Sequence, residues 1–135
     1  MINPADRNYR RNSMAKKILV IDDDPDILDS VKAILEANGY QVATAQSGED
    51  GVVAFGSENP DLVLCDMMME SVDQGAKVAQ KIRETNKTVP VFLLSSIGDA
   101  TSSNVDPSSM GFNGVFQKPV NPDSLVSSVK KALGE

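Results

Sequence analysis

Four short apolar runs constrain this chain more than any other feature, because each ends in a group able to do chemistry. Lys17-Ile18-Leu19-Val20-Ile21 runs into Asp22-Asp23-Asp24. Pro60-Asp61-Leu62-Val63-Leu64-Cys65 closes on Asp66, and Pro90-Val91-Phe92-Leu93-Leu94 on Ser95-Ser96. Gly114-Val115-Phe116-Gln117 closes on Lys118-Pro119. Near-continuous apolar runs of this length read as strands buried on both faces, the habit of a parallel sheet. Open parallel sheets bind ligands beyond the C-terminal ends of their strands. Acids, a hydroxyl and an amine are therefore expected along one sheet edge.

Helical patterns alternate with these runs, which signals an α/β fold. Asp24-Pro25 reads as an N-cap and first-turn proline. Ile27, Leu28, Val31, Ile34 and Leu35 then recur at helical spacing until Asn38-Gly39. A short second strand, Gln41 to Ala45, follows. Ser47 with Asp50 three residues on marks the start of a helix through about Ser57. A third helix is expected from about Gln74 to Asn86, packing Ala76, Val78, Ala79 and Ile82. Asn121-Pro122 opens the last, which offers Leu125, Val129 and Leu133 to the core. Residues 97–113 break the alternation: they are rich in Gly, Ser, Thr and Asn and contain Pro107, so the helix expected between the last two strands is degenerate. Residues 1–15 are polar, carry Arg7, Arg10 and Arg11, and read as a disordered tail ahead of one domain, 16–135.

Composition narrows the function. The net charge of −6 argues against nucleic acid and anionic membrane as partners. No apolar stretch is long enough to span a bilayer. The single cysteine, Cys65, excludes an internal disulfide and suits a reducing cytoplasm; its apolar strand neighbours make it a core residue. The chain has no histidine, so a catalytic triad is excluded and any phosphohistidine must belong to another protein.

The expected sheet is flavodoxin-like, doubly wound and five-stranded, with order 2-1-3-4-5, which makes the tips of strands one and three neighbours. Asp22, Asp23 and Asp66 then share a pocket. Two like charges 4 Å apart repel by about 4 kcal/mol at an effective dielectric near 20. A hard divalent ion with oxygen ligands answers this, and Mg2+ suits a site that also takes a phosphate oxygen. Lys118 adds a further positive charge. The set fits phosphoryl transfer, with Asp66 as nucleophile, Lys118 and Mg2+ neutralising charge, and Ser95 donating a hydrogen bond.

At these residues the chain resembles the receiver domain of two-component response regulators. The resemblance rests on Ile18 to Asp24, Pro60 to Met69, Pro90 to Ser95, and Lys118-Pro119, and spans residues 16–134. It implies that Asp66 is the phosphoacceptor, that Asp22 and Asp23 hold Mg2+ with Asp66 and the Met68 backbone carbonyl, that Ser95 is the switch hydroxyl and Lys118 its ion-pairing partner. It also implies a cis Lys118-Pro119 bond, and a phosphodonor that is a sensor histidine kinase, a histidine phosphotransfer protein or a small molecule such as acetyl phosphate. Three departures stand out. Glu70 occupies a reshaped loop, Val115 stands where the family carries its switch aromatic, with Phe116 beside it, and the Ser-rich segment replaces the usual fourth helix. An exposed stripe on the first helix, Asp26, Ser30, Ala33 and Ala37, is a plausible kinase-facing surface.

Two other readings stand beside this one. A phosphate-independent pseudo-receiver scaffold would share the fold and use the unusual loop. A haloacid-dehalogenase-type phosphatase would share Asp22-Asp23-Asp24, but Asp26 stands where that class carries Thr or Val, and a cap is missing. The receiver reading expects no turnover beyond the chain's own phosphorylation and dephosphorylation. No output domain follows Glu135, so a partner protein or a relay is the expected output, unless the chain is cut from a longer regulator. In this family the side chains two positions after the phosphoacceptor and after the switch hydroxyl tune hydrolysis. Here they are Met68 and Ile97, both apolar, and neither can orient an attacking water. The aspartyl phosphate is therefore predicted to be long-lived, and its decay followed by intact mass checks this; loss within seconds would contradict it.

Overall fold

The computed structural model describes residues 16–66, 74–95, 112–118 and 120–134. The tail, Met68, Glu70, Ile97, most of the Ser-rich segment and Pro119 with its peptide bond lie outside the described residues, so the expectations placed on them stay with the sequence.

Five parallel strands form one sheet: β1 (Lys17–Ile21), β2 (Gln41–Ala45), β3 (Leu62–Asp66), β4 (Val91–Ser95) and β5 (Gly114–Gln117). Their order is β2-β1-β3-β4-β5, as expected. Four helices are described: α1 (Pro25–Ala37), α2 (Gly48–Glu58), α3 (Gln74–Thr85) and α4 (Pro122–Ala132). Register runs Ile18 with Leu62 and Ile21 with Cys65, then Asp66 with Leu94, then Ser95 with Gln117. The tips of β1, β3, β4 and β5 thus finish almost level.

The helix starts follow from local chemistry. Asp24 is the N-cap of α1 and accepts from the Asp26 amide at 2.9 Å. Ser47 caps α2 through the Asp50 amide at 3.0 Å, and Asn121 caps α4 through Ser124 at 3.0 Å. Pro25 and Pro122 occupy the first turns, where no amide is needed. α1 closes at Asn38, and α3 stops one residue short of the expected Asn86.

Strand alternation sends successive side chains to opposite faces and builds two cores. Leu19, Ile21, Val63, Cys65, Val91 and Leu93 pack with Val78, Ala79 and Ile82 of α3. Ile18, Val20, Leu62, Leu64 and Leu94 pack with Leu28, Val31 and Leu35 of α1 and Leu125 and Val129 of α4. Leu133 lies at the border of that second core. Each fully buried Leu or Ile contributes about 1.5–3 kcal/mol. A few of them outweigh the repulsion of two carboxylates at the sheet edge, about 4 kcal/mol.

Gly51 lets α2 sit directly on β1. A Cβ built there would lie 2.5 Å from Ile21 Cδ1 and 2.9 Å from Ile21 Cγ1. Alanine is favoured over glycine inside a helix by about 1 kcal/mol, yet overpacking costs about 1–3 kcal/mol. Gly51→Ala is expected to lower stability on balance, as a reduced urea midpoint. An unchanged midpoint would show that α2 lifts off β1 without cost.

Candidate phosphoryl and metal site

The tips of β1, β3, β4 and β5 bring Asp22 and Asp23, Asp66, Ser95 and Lys118 to one edge of the sheet. Asp22 follows Ile21 directly, its amide donating to Ala45 O at 3.0 Å, so the chain leaves β1 still attached to β2. Asp22 is fully buried and Asp66 is 3 % exposed, while Asp23 next to them is open to solvent. Asp22, Asp23 and Asp66 each offer a carboxylate oxygen, all within 4.8 Å of one another. Ser95 is buried at the tip of β4, one residue beyond the register partner of Asp66.

Lys118 reaches in from beyond β5. Its Nζ lies 2.8 Å from Asp22 Oδ2 and 3.2 Å from Asp66 Oδ1, with only 15 % of the side chain exposed. Its own amide donates to Ser95 O at 2.8 Å, which continues the β4–β5 ladder one step past the strand. Burial alone would push the ammonium below its usual range. Contact with Asp22, then the charges of Asp22 and Asp66, outweigh it and hold Lys118 above that range.

The two oxygens of Asp22 have different partners. Oδ1 accepts from the Asp24 amide at 2.9 Å, which turns the chain out of β1 toward α1. Oδ2 is buried and makes no hydrogen bond of good geometry among the described residues; the Lys118 ammonium is its close charged neighbour. Among the described residues, three carboxylates stand against one ammonium at this edge. A buried acceptor short of a donor, beside hard oxygen ligands, fits a divalent cation of the Mg2+ type. Asp22, Asp23 and Asp66 are the described residues that would hold it.

Cys65 occupies the core as expected. Burial first, then the charges of Asp66 and Asp22, push its thiol far above the usual range, so it stays protonated and unreactive. Val115, at the position of the family's switch aromatic, is 41 % exposed. Phe116 instead turns inward against Phe92, ring centroids 5.4 Å apart. Asp26, Ser30, Ala33 and Ala37 all lie exposed along α1. The sequence reading missed Arg83 and Asn113. Asn113 lay in a segment read as loop, and only the folded chain shows its side chain bonded to Val91 N and Arg83.

An open parallel sheet with three acids, a serine and a lysine at its C-terminal edge is an α/β domain with its candidate site where such sheets bind ligands. The chain matches the response regulator receiver domain over residues 18–130, and it belongs to that family. It is 32% identical over 120 residues to the response regulator MprA of Mycolicibacterium vanbaalenii, covering 89% of this chain and 51% of that protein. It is equally similar, 32% over 120 residues, to the alkaline phosphatase synthesis transcriptional regulatory protein PhoP of Bacillus subtilis, covering 89% and 49%. Among solved structures, a response regulator receiver domain protein from Clostridium thermocellum superposes with a TM-score of 0.79 at 30% identity, covering 88% of this chain and 94% of that one. The chain spans about half the length of these curated relatives.

Removing Lys118 strands two buried carboxylates. Breaking a buried ion pair from one side costs about 3–5 kcal/mol. Lys118→Met is therefore expected to lose stability of that order at neutral pH in metal-free buffer. Because folding raises the Lys118 pKa, its stabilisation is complete below about pH 10.5, the ordinary lysine value, and fades as pH rises through the folded value. Urea melts of both proteins across pH check this; an undiminished difference at high pH would contradict it.

Proposed function

We propose that this chain is the phosphoacceptor of a two-component system, with Asp66 taking a phosphoryl group from a phosphohistidine of a sensor histidine kinase or histidine phosphotransfer protein. One observation carries the reading: the Lys118 ammonium bridges the buried carboxylates of Asp22 and Asp66, with Asp23 in reach.

The proposed step follows from the residues. An Asp66 carboxylate oxygen attacks phosphorus, an O–P bond forms, and the donor's P–N bond breaks. The imidazole leaves with the electron pair and takes up a proton. The chain has no histidine of its own, so the donor is another molecule. Transfer needs positioning and charge neutralisation more than acid–base help. Lys118 supplies a fixed positive charge beside the attacked phosphoryl group. Ser95 would donate its hydroxyl to a phosphoryl oxygen. Asp22, Asp23 and Asp66 would hold Mg2+, which would supply further positive charge against the negative charge of the transferring group. Attack of water on phosphorus then breaks the Asp66 O–P bond, giving inorganic phosphate and the free carboxylate, and this self-directed cycle is the only turnover proposed.

The output is a changed surface read by a partner protein, or the phosphoryl group passed along a relay. Asp26, Ser30, Ala33 and Ala37 are proposed to face the donor. The name of PhoP speaks of transcription. For the acidic domain described here, a protein partner in the cytoplasm is proposed rather than nucleic acid or membrane. No helix among the described residues is long and apolar enough to cross a membrane.

Intact mass after incubation with acetyl phosphate and Mg2+ tests the reading. The wild type is expected to gain one phosphoryl group, and Asp66→Ala none. Chelating the metal should abolish labelling of the wild type. A folded wild type that stays unlabelled with both acetyl phosphate and a phosphohistidine donor would instead identify a pseudo-receiver scaffold.

A further inference from the structure

We infer that Arg83 and Asn113 are positioning residues for Lys118, setting the register of β5 so that the ammonium falls between Asp22 and Asp66. For its effect on phosphorylation this rests on the function proposed above; its effect on the ion pair does not.

β5 is the weakest-specified strand of the sheet. It is four residues long, lies at an edge, and alternates half-buried and exposed positions. Register is well fixed where one face is deeply buried, and poorly where it is not. Sliding a strand by one residue moves its tip about 3.3 Å and turns every side chain to the other face. Lys118 stands one residue past the end of β5, at 2.8 and 3.2 Å from its two carboxylates. Such a slip would break both contacts.

Side chains at the entry of β5 supply the missing specification. The Asn113 amide donates to Val91 O at 2.6 Å. Asn113 Oδ1 accepts from the Val91 amide and from Arg83 Nη2, both at 2.9 Å. Arg83 Nη1 donates in turn to Val89 O at 2.6 Å and Asn86 O at 3.3 Å. One carboxamide oxygen therefore ties the first residue of β4 and the last turn of α3 to the entry of β5. The next position locks the fit. A Cβ on Gly114 would lie 2.9 Å from Phe92 Cε2, so only glycine sits opposite Phe92 without displacement. The oxygen is what the bracket needs; Asn113→Asp keeps it and Asn113→Ala removes it.

A double-mutant cycle tests this. In metal-free buffer, the shift in urea midpoint caused by Lys118→Met is expected to shrink in the Asn113→Ala background and to return with Asn113→Asp. With acetyl phosphate and Mg2+, Asn113→Ala should slow phosphorylation by about ten- to a hundredfold. Asn113→Asp should run close to wild type, and Asn113→Ala should add no slowing to Lys118→Met. A Lys118→Met shift that is the same size in both backgrounds would overturn the inference, as would equal slowing by Asn113→Ala with and without Lys118. Should the wild type take no phosphoryl group, the proposed function fails, and the melts alone still decide the positioning role. If Asn113→Ala does not fold, Arg83→Leu, which leaves the Asn113–Val91 bonds, enters the same cycle with the same expectations.

Discussion

Everything at the functional edge depends on one buried contact, the Lys118 ammonium between Asp22 and Asp66. A buried acid next to another is costly, and a buried lysine is costly alone. Together they are tolerated, because each charge meets an opposite one at 2.8 and 3.2 Å. The pair does little to explain why the protein folds, since apolar residues of similar size often do as well in such places. That role falls to the two cores on either face of the sheet. The ion pair is better understood as a load that those cores carry, retained for its chemistry.

The topology makes that load unavoidable. Order 2-1-3-4-5 places β3 between β1 and β4, so Asp66 has the β1 tip on one side and the β4 tip on the other. The register levels these tips to within a residue. Nothing in the ladder brings Lys118 as close; it comes from an edge strand, two positions from β3 in the sheet. Its long stem spans the remaining distance, which a shorter basic side chain could not do. An edge strand is also the element whose placement burial controls least, and the entry of β5 is held by the polar bonds of Asn113.

Much of this was legible before folding, and the reasons are local. Strands β1 and β3 announced themselves as apolar runs ending in acid, and Asp24, Ser47 and Asn121 announced helix starts because capping is a matter of three or four neighbouring residues. The parallel sheet order was legible from alternation together with the family resemblance. The meeting of Asp22 and Asp66 followed from that order, while Lys118 was joined to them by its place after the last apolar run and by the family resemblance. The bonds of Asn113 were not legible, because its partners lie 22 and 30 positions away and an isolated Asn in a polar stretch looks like any turn residue. Gly51 was hidden likewise: a glycine inside a helix reads as a local weakness until Ile21 is seen against it.

The same ammonium that pairs with Asp66 at rest would, under the proposed function, also meet a phosphoryl group on it. In the resting site Lys118 serves two carboxylates at once. Under the proposed function, forming the acyl phosphate would remove the charge from the Asp66 carboxylate and place more negative charge on the phosphoryl oxygens, farther from the strand tip. Lys118 would then follow that charge outward and relax its hold on Asp66. Its backbone amide stays tied to Ser95 O, so any such movement is confined to the side chain or is passed directly to the tip of β4. Ser95 is itself proposed to bond a phosphoryl oxygen, which would draw the same tip from its other side. With Val115 exposed and Phe116 packed on Phe92, an inward swing of an aromatic at position 115 is not open to this chain. Under the proposed function, the shared β4–β5 tip, rather than an aromatic rotamer, would link the phosphoryl group to the surface.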